Sequence, residues 1–150
     1  SRGFPAAAGA AKDGFHENLQ YLLQLRANTD PVRKDNGATP LISAAQDAWP
    51  DSCKVLLEFR ADIQATDSQG KTALHMAADC VLVLGNPGRG AKCDVLDVLI
   101  EARADIGVAD KSGRVPFEVA LDTQNPCENK LRLLSPPTSP GHQKAWAKSQ

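Results

Sequence analysis

Apolar residues in this chain fall in short clusters, and polar stretches carrying a glycine separate them. Leu19, Leu22, Leu23 and Leu25 form one cluster, Cys53-Lys-Val-Leu-Leu-Glu-Phe a second, and Cys93-Asp-Val-Leu-Asp-Val-Leu-Ile a third. Within each, the apolar positions follow helical spacing, so one face of a helix is predicted there. A shorter helix is expected after each of Gly37, Gly70 and Gly113. Thr39 and Thr72 stand where a hydroxyl can cap free helix amides, and Pro40 and Pro116 occupy the first helical turn, where a missing N–H costs nothing. Gly37, Gly70 and Gly113 lie in polar turns that need a residue tolerant of positive φ. The alanines Ala44, Ala45, Ala77 and Ala78 let a neighbouring helix approach closely. The pattern reads turn, helix, loop, helix, and an all-α fold follows.

The same residues recur at fixed offsets. Gly37, Thr39, Leu41, Ala44 and Ala45 return as Gly70, Thr72, Leu74, Ala77 and Ala78, each 33 residues on. Arg60-Ala61-Asp62-Ile63 returns as Arg103-Ala104-Asp105-Ile106, 43 residues on, and Gly70, Leu74 and Ala77 map onto Gly113, Phe117 and Ala120 by the same shift. One unit therefore holds ten more residues than its neighbour. Upstream, Ala10-Ala11 and Arg26-Ala27-Asn28 precede Ala44-Ala45 and Arg60-Ala61-Asp62 by 34. Periods of this length identify stacked architectures, in which one helix pair cannot bury its own apolar face and neighbours must pile into a curved solenoid.

The stretch Asp67-Ser-Gln-Gly70-Lys-Thr72-Ala-Leu74-His75-Met-Ala77-Ala78 resembles the most diagnostic part of the ankyrin repeat, D-x-x-G-x-T-P-L-H-x-A-A. The neighbouring units match less completely, with Lys34, Gly37, Thr39, Pro40, Leu41, Ile42, Ala44 and Ala45 in one, and Asp110, Gly113, Val115, Pro116, Phe117, Glu118, Ala120 and Leu121 in the other. The resemblance implies an ankyrin-repeat solenoid of helix-turn-helix units with β-turn tips. It covers residues 4–135 in four units, 4–33, 34–66, 67–109 with the ten-residue insertion, and 110–135, between an extension at 1–3 and a Pro/Lys-rich tail at 136–150. The first unit lacks the turn motif and is expected to cap the stack. The last ends with Leu131, Leu133 and Leu134 before Ser135-Pro136-Pro137, where proline stops the helix.

Composition narrows the function. The 150 residues suit one domain, and a 42% hydrophobic fraction with 5% aromatics favours helices packed through small side chains. Seventeen Lys plus Arg against 18 Asp plus Glu leave a net charge of -1, which supplies no general pull toward nucleic acid or anionic lipid. No apolar run reaches the roughly 20 residues that a membrane helix needs. Cys53, Cys80, Cys93 and Cys127 are widely spaced and suggest neither zinc nor a disulfide framework, so free thiols in a reducing compartment are expected, the cytoplasm or an organelle interior if Ser1 marks a processed N-terminus. Cys80 and Cys93 bracket the insertion and could meet across its base, although separate thiols are favoured.

His75 titrates in the range of a catalytic base, but no nucleophile with an orienting acid accompanies it, and the resemblance makes it a structural hydrogen-bonding residue. The insertion 81–92 has Gly85 and Gly90 five apart, yet Ala91 stands where a phosphate loop needs lysine. No catalytic, cofactor or metal site is expected, and the chain is read as no enzyme. The resemblance instead implies partner contacts at the turn tips and the concave face. Matched by position, these are Asp35, Asn36, Ala38, Gln46 and Asp47, then Ser68, Gln69, Lys71 and Asp79, then Lys111, Ser112, Arg114 and Asp122. Arg89 in the insertion and Trp146 in the tail are further candidates, the latter because an indole there has no core to join. The expected function is a protein-protein interaction module, an accessory or scaffolding subunit of a larger assembly. The alternative is a regulatory ankyrin fragment of an enzyme whose catalytic part lies elsewhere.

Overall fold

The computed structural model describes residues 5–79 and 92–122, together with 140, 143 and 144. Seven helices are defined among them, α1 (Ala6–Asp13), α2 (His16–Gln24), α3 (Pro40–Gln46), α4 (Pro50–Glu58), α5 (Ala73–Ala78), α6 (Lys92–Glu101) and α7 (Pro116–Asp122). They form two rows. α1, α3, α5 and α7 pack successively against one another, as do α2, α4 and α6, and α1–α2, α3–α4 and α5–α6 pair across the rows. No strand occurs among the described residues, which makes the chain the all-α repeat fold its periodicity predicts.

The core lies between the rows and is built from small side chains on one side and branched ones on the other. Ala7, Ala11, Ala44, Ala45, Ala77, Ala78 and Ala120 line the first-helix row, while Leu19, Cys53, Leu56, Val95, Leu96 and Leu99 fill the second. All are buried, and the alanines bring the short helices near enough to exclude water from the leucines behind them. Leu74 is 1% exposed, on the buried side of α5. Cys53 sits wholly inside, and burial pushes its thiol up to about 12, so the group stays protonated and packs as a small apolar residue.

Helix starts follow the expected chemistry. Thr39 caps α3 by accepting from the Ile42 amide at 3.4 Å, with Pro40 in the first turn. Thr72 precedes α5 in a capping box in which His75 takes the place usually held by Glu or Gln. At α7 the capping position before Pro116 is held by Val115, which has no hydroxyl, and the buried carboxylate of Glu118 accepts the Val115 amide at 3.1 Å instead.

Helix ends are made by a device that was visible in the sequence only as a repeated string. Arg26, Arg60 and Arg103 adopt left-handed φ of 63°, 63° and 62° after α2, α4 and α6. At α4 the Ala61 amide returns to the Leu56 carbonyl and the Arg60 amide to Leu57, both at 3.0 Å. The same pair of bonds closes α2 through Ala27 and Arg26, and α6 through Ala104 and Arg103. These are Schellman stops with arginine in the position glycine usually takes. The next polar residue then forms an Asx turn: Asn28, Asp62 and Asp105 accept from the amides of Asp30, Gln64 and Gly107. One placement differs from expectation, since Leu25 lies just past α2 and is 64% exposed instead of joining the helix face.

Candidate functional site, the turn-tip ribbon

Each unit enters its first helix through a turn whose tip is glycine. Gly37, Gly70 and Gly113 have φ of 70°, 72° and 79°, the left-handed region that the sequence pattern demanded. The turns are closed by main-chain bonds, Arg33 to Ala38, Asp67 to Lys71 and Asp110 to Arg114, at 2.9–3.0 Å. An aspartate ties each of the later two turns from inside. Asp67 Oδ1 accepts from the Gln69 and Lys71 amides, and Asp110 Oδ1 from those of Ser112 and Arg114. Burial pushes the Asp110 carboxyl up, but those two amides and the Arg114 guanidinium outweigh it and hold it below the usual carboxylate range. In the first turn Lys34 replaces the aspartate. There Asn36 Oδ1 accepts the Ala38 amide at 3.1 Å, and Asp35 binds the Arg33 guanidinium, which lowers its pKa.

Adjacent tips are joined to one another. The Ser68 amide donates to the Asn36 carbonyl and the Lys111 amide to the Gln69 carbonyl, each at 2.9 Å. The spacing is tight: a Cβ on Gly37 would stand 3.0 Å from the Ser68 nitrogen, and one on Gly70 3.1 Å from that of Lys111. Three turns thus make a continuous ribbon along one edge of the stack.

Side chains proposed from the sequence divide on this frame. Asp35, Ser68, Gln69, Lys111 and Ser112 are exposed along the ribbon, and Gln46 and Asp122 are exposed at the ends of α3 and α7. Asn36, Asp47, Lys71, Asp79 and Arg114 are half-buried. Ala38 corrects the expectation, because at 1% exposure it belongs to the core and offers no contact surface. Arg114 is engaged within the protein, 3.5 Å from Asp110 and 3.3 Å from Asp122, so its charge is largely balanced there. Arg89, Trp146, Cys80 and the last helix around Leu131 lie outside the described residues, as does the side chain of Cys93.

His75 is 1% exposed and its ring is spent on the backbone. Nε2–H donates to the Arg114 carbonyl at 3.0 Å, and Nδ1 accepts from the Thr72 amide at 3.2 Å and the Thr72 hydroxyl at 2.9 Å. Desolvation lowers its pKa below 6.5. No group of three metal-ligating side chains, and no helix long and apolar enough to cross a membrane, occurs among the described residues.

Sequence reasoning missed Trp49. Its Nε1–H donates to the Lys12 carbonyl at 2.8 Å, which lashes the loop before α4 to the end of α1 in the preceding unit. The indole lies so close that a Cβ on Gly14 would meet it at 2.4 Å. The only signal in the sequence was a lone tryptophan ahead of Pro50, outside the repeated motif.

Two rows of paired helices joined by a ribbon of turns define a stacked helical-repeat protein with an exposed edge. The chain belongs to the ankyrin-repeat family, whose model for ankyrin repeats in three copies matches residues 8–110. Ankyrin repeats are generally protein-protein interaction modules, and such domains are typically non-catalytic. Among curated proteins, the chain is similar to neurogenic locus notch homolog protein 1 of Mus musculus, 41% identical over 73 residues. It is similar also to neurogenic locus notch homolog protein 2 of Homo sapiens, at 38% over 73 residues, and to the Xenopus laevis notch homolog protein 1, at 42%. The match takes in 49% of this chain and 3% of the length of each of these relatives.

Proposed function

We propose that the chain binds a protein partner through its turn-tip ribbon and the adjoining first-helix ends, as a non-catalytic accessory or scaffolding subunit. The observation that carries this reading is the pair of main-chain bonds between tips, Ser68 to Asn36 and Lys111 to Gln69. They fix the ribbon before any partner arrives, so the side chains of Asp35, Ser68, Gln69, Lys111 and Ser112 present polar groups at small ordering cost. The surface mixes signs, with Lys71 and Lys111 against Asp35 and Asp122, which suits a polar interface better than a phosphate backbone. His75 is committed to Thr72 and Arg114, which favours a structural over a catalytic role. Arg89 and Trp146 are assigned to the same interaction as outlying contacts, with the indole as anchor.

The test is affinity purification of the tagged chain from its own cells after lysine crosslinking. Crosslinks to a partner at Lys71 and Lys111, with both crosslinks and binding lost in a Gln69→Ala/Ser112→Arg variant of unchanged helicity, support the reading. A tagged chain that runs alone, without crosslinks, rejects it. Trp146→Ala is expected to weaken partner binding by roughly thirtyfold without moving Tm, as loss of an aromatic anchor does.

A further inference from the structure

Because the units share a register, one position can be compared along the stack. Tyr21, Val55 and Val98 stand at the same place in α2, α4 and α6, offset by 34 and then 43 residues. Val55 and Val98 are each 8% exposed, whereas Tyr21 is 63% exposed. Its helix face behaves alike. Ser52 and Val95 are buried where Asn18 is exposed, and Leu56 and Leu99 are buried where Leu22 is only half covered. Asn18, Tyr21 and Leu22 follow the spacing i, i+3, i+4 and make a single stripe on α2, with Leu25 exposed just past the helix end. In the first row Ala6 is exposed, while Pro40, Ala73 and Pro116 at the same position are buried.

The helix preceding α4 in its row is α2, and the helix preceding α6 is α4. The open stripe is thus one half of an interface that the protein uses twice elsewhere. Phe15 extends the comparison, since it holds the position of Trp49, whose indole reaches back onto Gly14 and Lys12 of the unit before. Phe15 is 59% exposed. A terminal unit that ends a solenoid in water presents a polar outer face. This one presents Phe15, Tyr21, Leu22 and Leu25, so it does not serve as the cap expected from its missing turn motif.

We infer that this face takes one further helix pair of the same repeat type, carried ahead of α1 in the same polypeptide. The interfaces that continue it join consecutive units of one chain. A stripe of three residues on one helix, with Leu25 past its end, is also small for a separate partner, which would lose its translational and rotational freedom on binding. A covalently connected unit loses neither.

Tyr21 is the single tyrosine of the sequence and gives a direct probe. Nitration is compared, by peptide mass, between the 150-residue chain and the protein isolated from its natural source at a series of dilutions. Tyr21 should react readily in the former and be protected several-fold in the latter at every dilution, in a polypeptide heavier than 16.0 kDa. Equal reactivity in both overturns the inference, and so does protection that fades on dilution, which would mean a separate partner. As a second measurement, Tyr21→Lys with Leu25→Lys should leave Tm of the 150-residue chain unchanged and lower that of the source protein. Equal loss in both overturns it as well, because the stripe would then serve the first unit's own packing.

Discussion

The ring of His75 connects two units, with Nε2 held 3.0 Å from the carbonyl oxygen of Arg114 in the next turn. Only the neutral ring can do this while Nδ1 accepts from Thr72. Protonation would set a second ring N–H against the Thr72 amide and lose the acceptor.

Stability should therefore fall on mild acidification. The folded pKa of His75 is depressed from 6.5, so its contribution is complete above pH 6.5 and is lost as pH falls through the folded value. NMR titration should place the ring below 6.5, and a His75→Gln variant should flatten the urea midpoint over that window. A ring that titrates at or above 6.5 contradicts the geometry.

The Gly14–Trp49 contact gives a second expectation. Gly14→Ala forces a Cβ within 2.4 Å of the indole at a φ of 79°, so it should cost more than about 2 kcal/mol by strain and lost packing together. Trp49→Phe keeps most of the apolar contact and removes the bond to Lys12, for about 1 kcal/mol. Denaturant unfolding of both variants checks the order, and a milder effect from Gly14→Ala than from Trp49→Phe would be inconsistent with it.

Arg60 holds a left-handed conformation that glycine adopts freely. Arg60→Gly should stabilise the chain by about 0.5–1 kcal/mol, the steric relief exceeding the added freedom of the unfolded chain. Thermal melts of this variant, and of Arg26→Gly beside it, should shift upward. A downward shift would mean that the arginine side chains hold contacts worth more than the strain.

Leu74→Asp should abolish cooperative unfolding. The side chain is 1% exposed between rows, and a carboxylate there without a partner costs well over 3 kcal/mol, a large share of a small solenoid's stability. A circular dichroism melt like that of the unmodified chain would place Leu74 elsewhere.

Much of this architecture was written in the spacing of residues. The 33-residue recurrence of Gly, Thr, Leu and Ala located turns, caps and the first-helix row, because each of those residue types answers a local backbone requirement. Ala38 shows where position matching stops, since a place beside a glycine tip says nothing of which way a side chain turns. Arg60 shows another limit. Its recurrence was plain, yet an arginine gives no hint of positive φ, and only the returning amides of Arg60 and Ala61 reveal the helix stop. Trp49 was illegible because its partner, the Lys12 carbonyl, is a main-chain atom 37 residues earlier. Tyr21 and Val55 look equivalent in sequence, and only the uncovered face of α2 separates them.

The bonds that join the tips have a bearing on how such a surface can change over time. The groups that meet between Asn36 and Ser68, and between Gln69 and Lys111, are amides and carbonyls that nearly every amino acid possesses. At Ser68 and Lys111 proline alone is barred, for want of an N–H. Substitution of the outward side chains therefore rewrites what the ribbon displays without loosening the scaffold beneath it. Selection can try new recognition chemistry at Ser68, Gln69, Lys111 and Ser112 one residue at a time, while Gly37 and Gly70, wedged against the neighbouring turn, stay fixed.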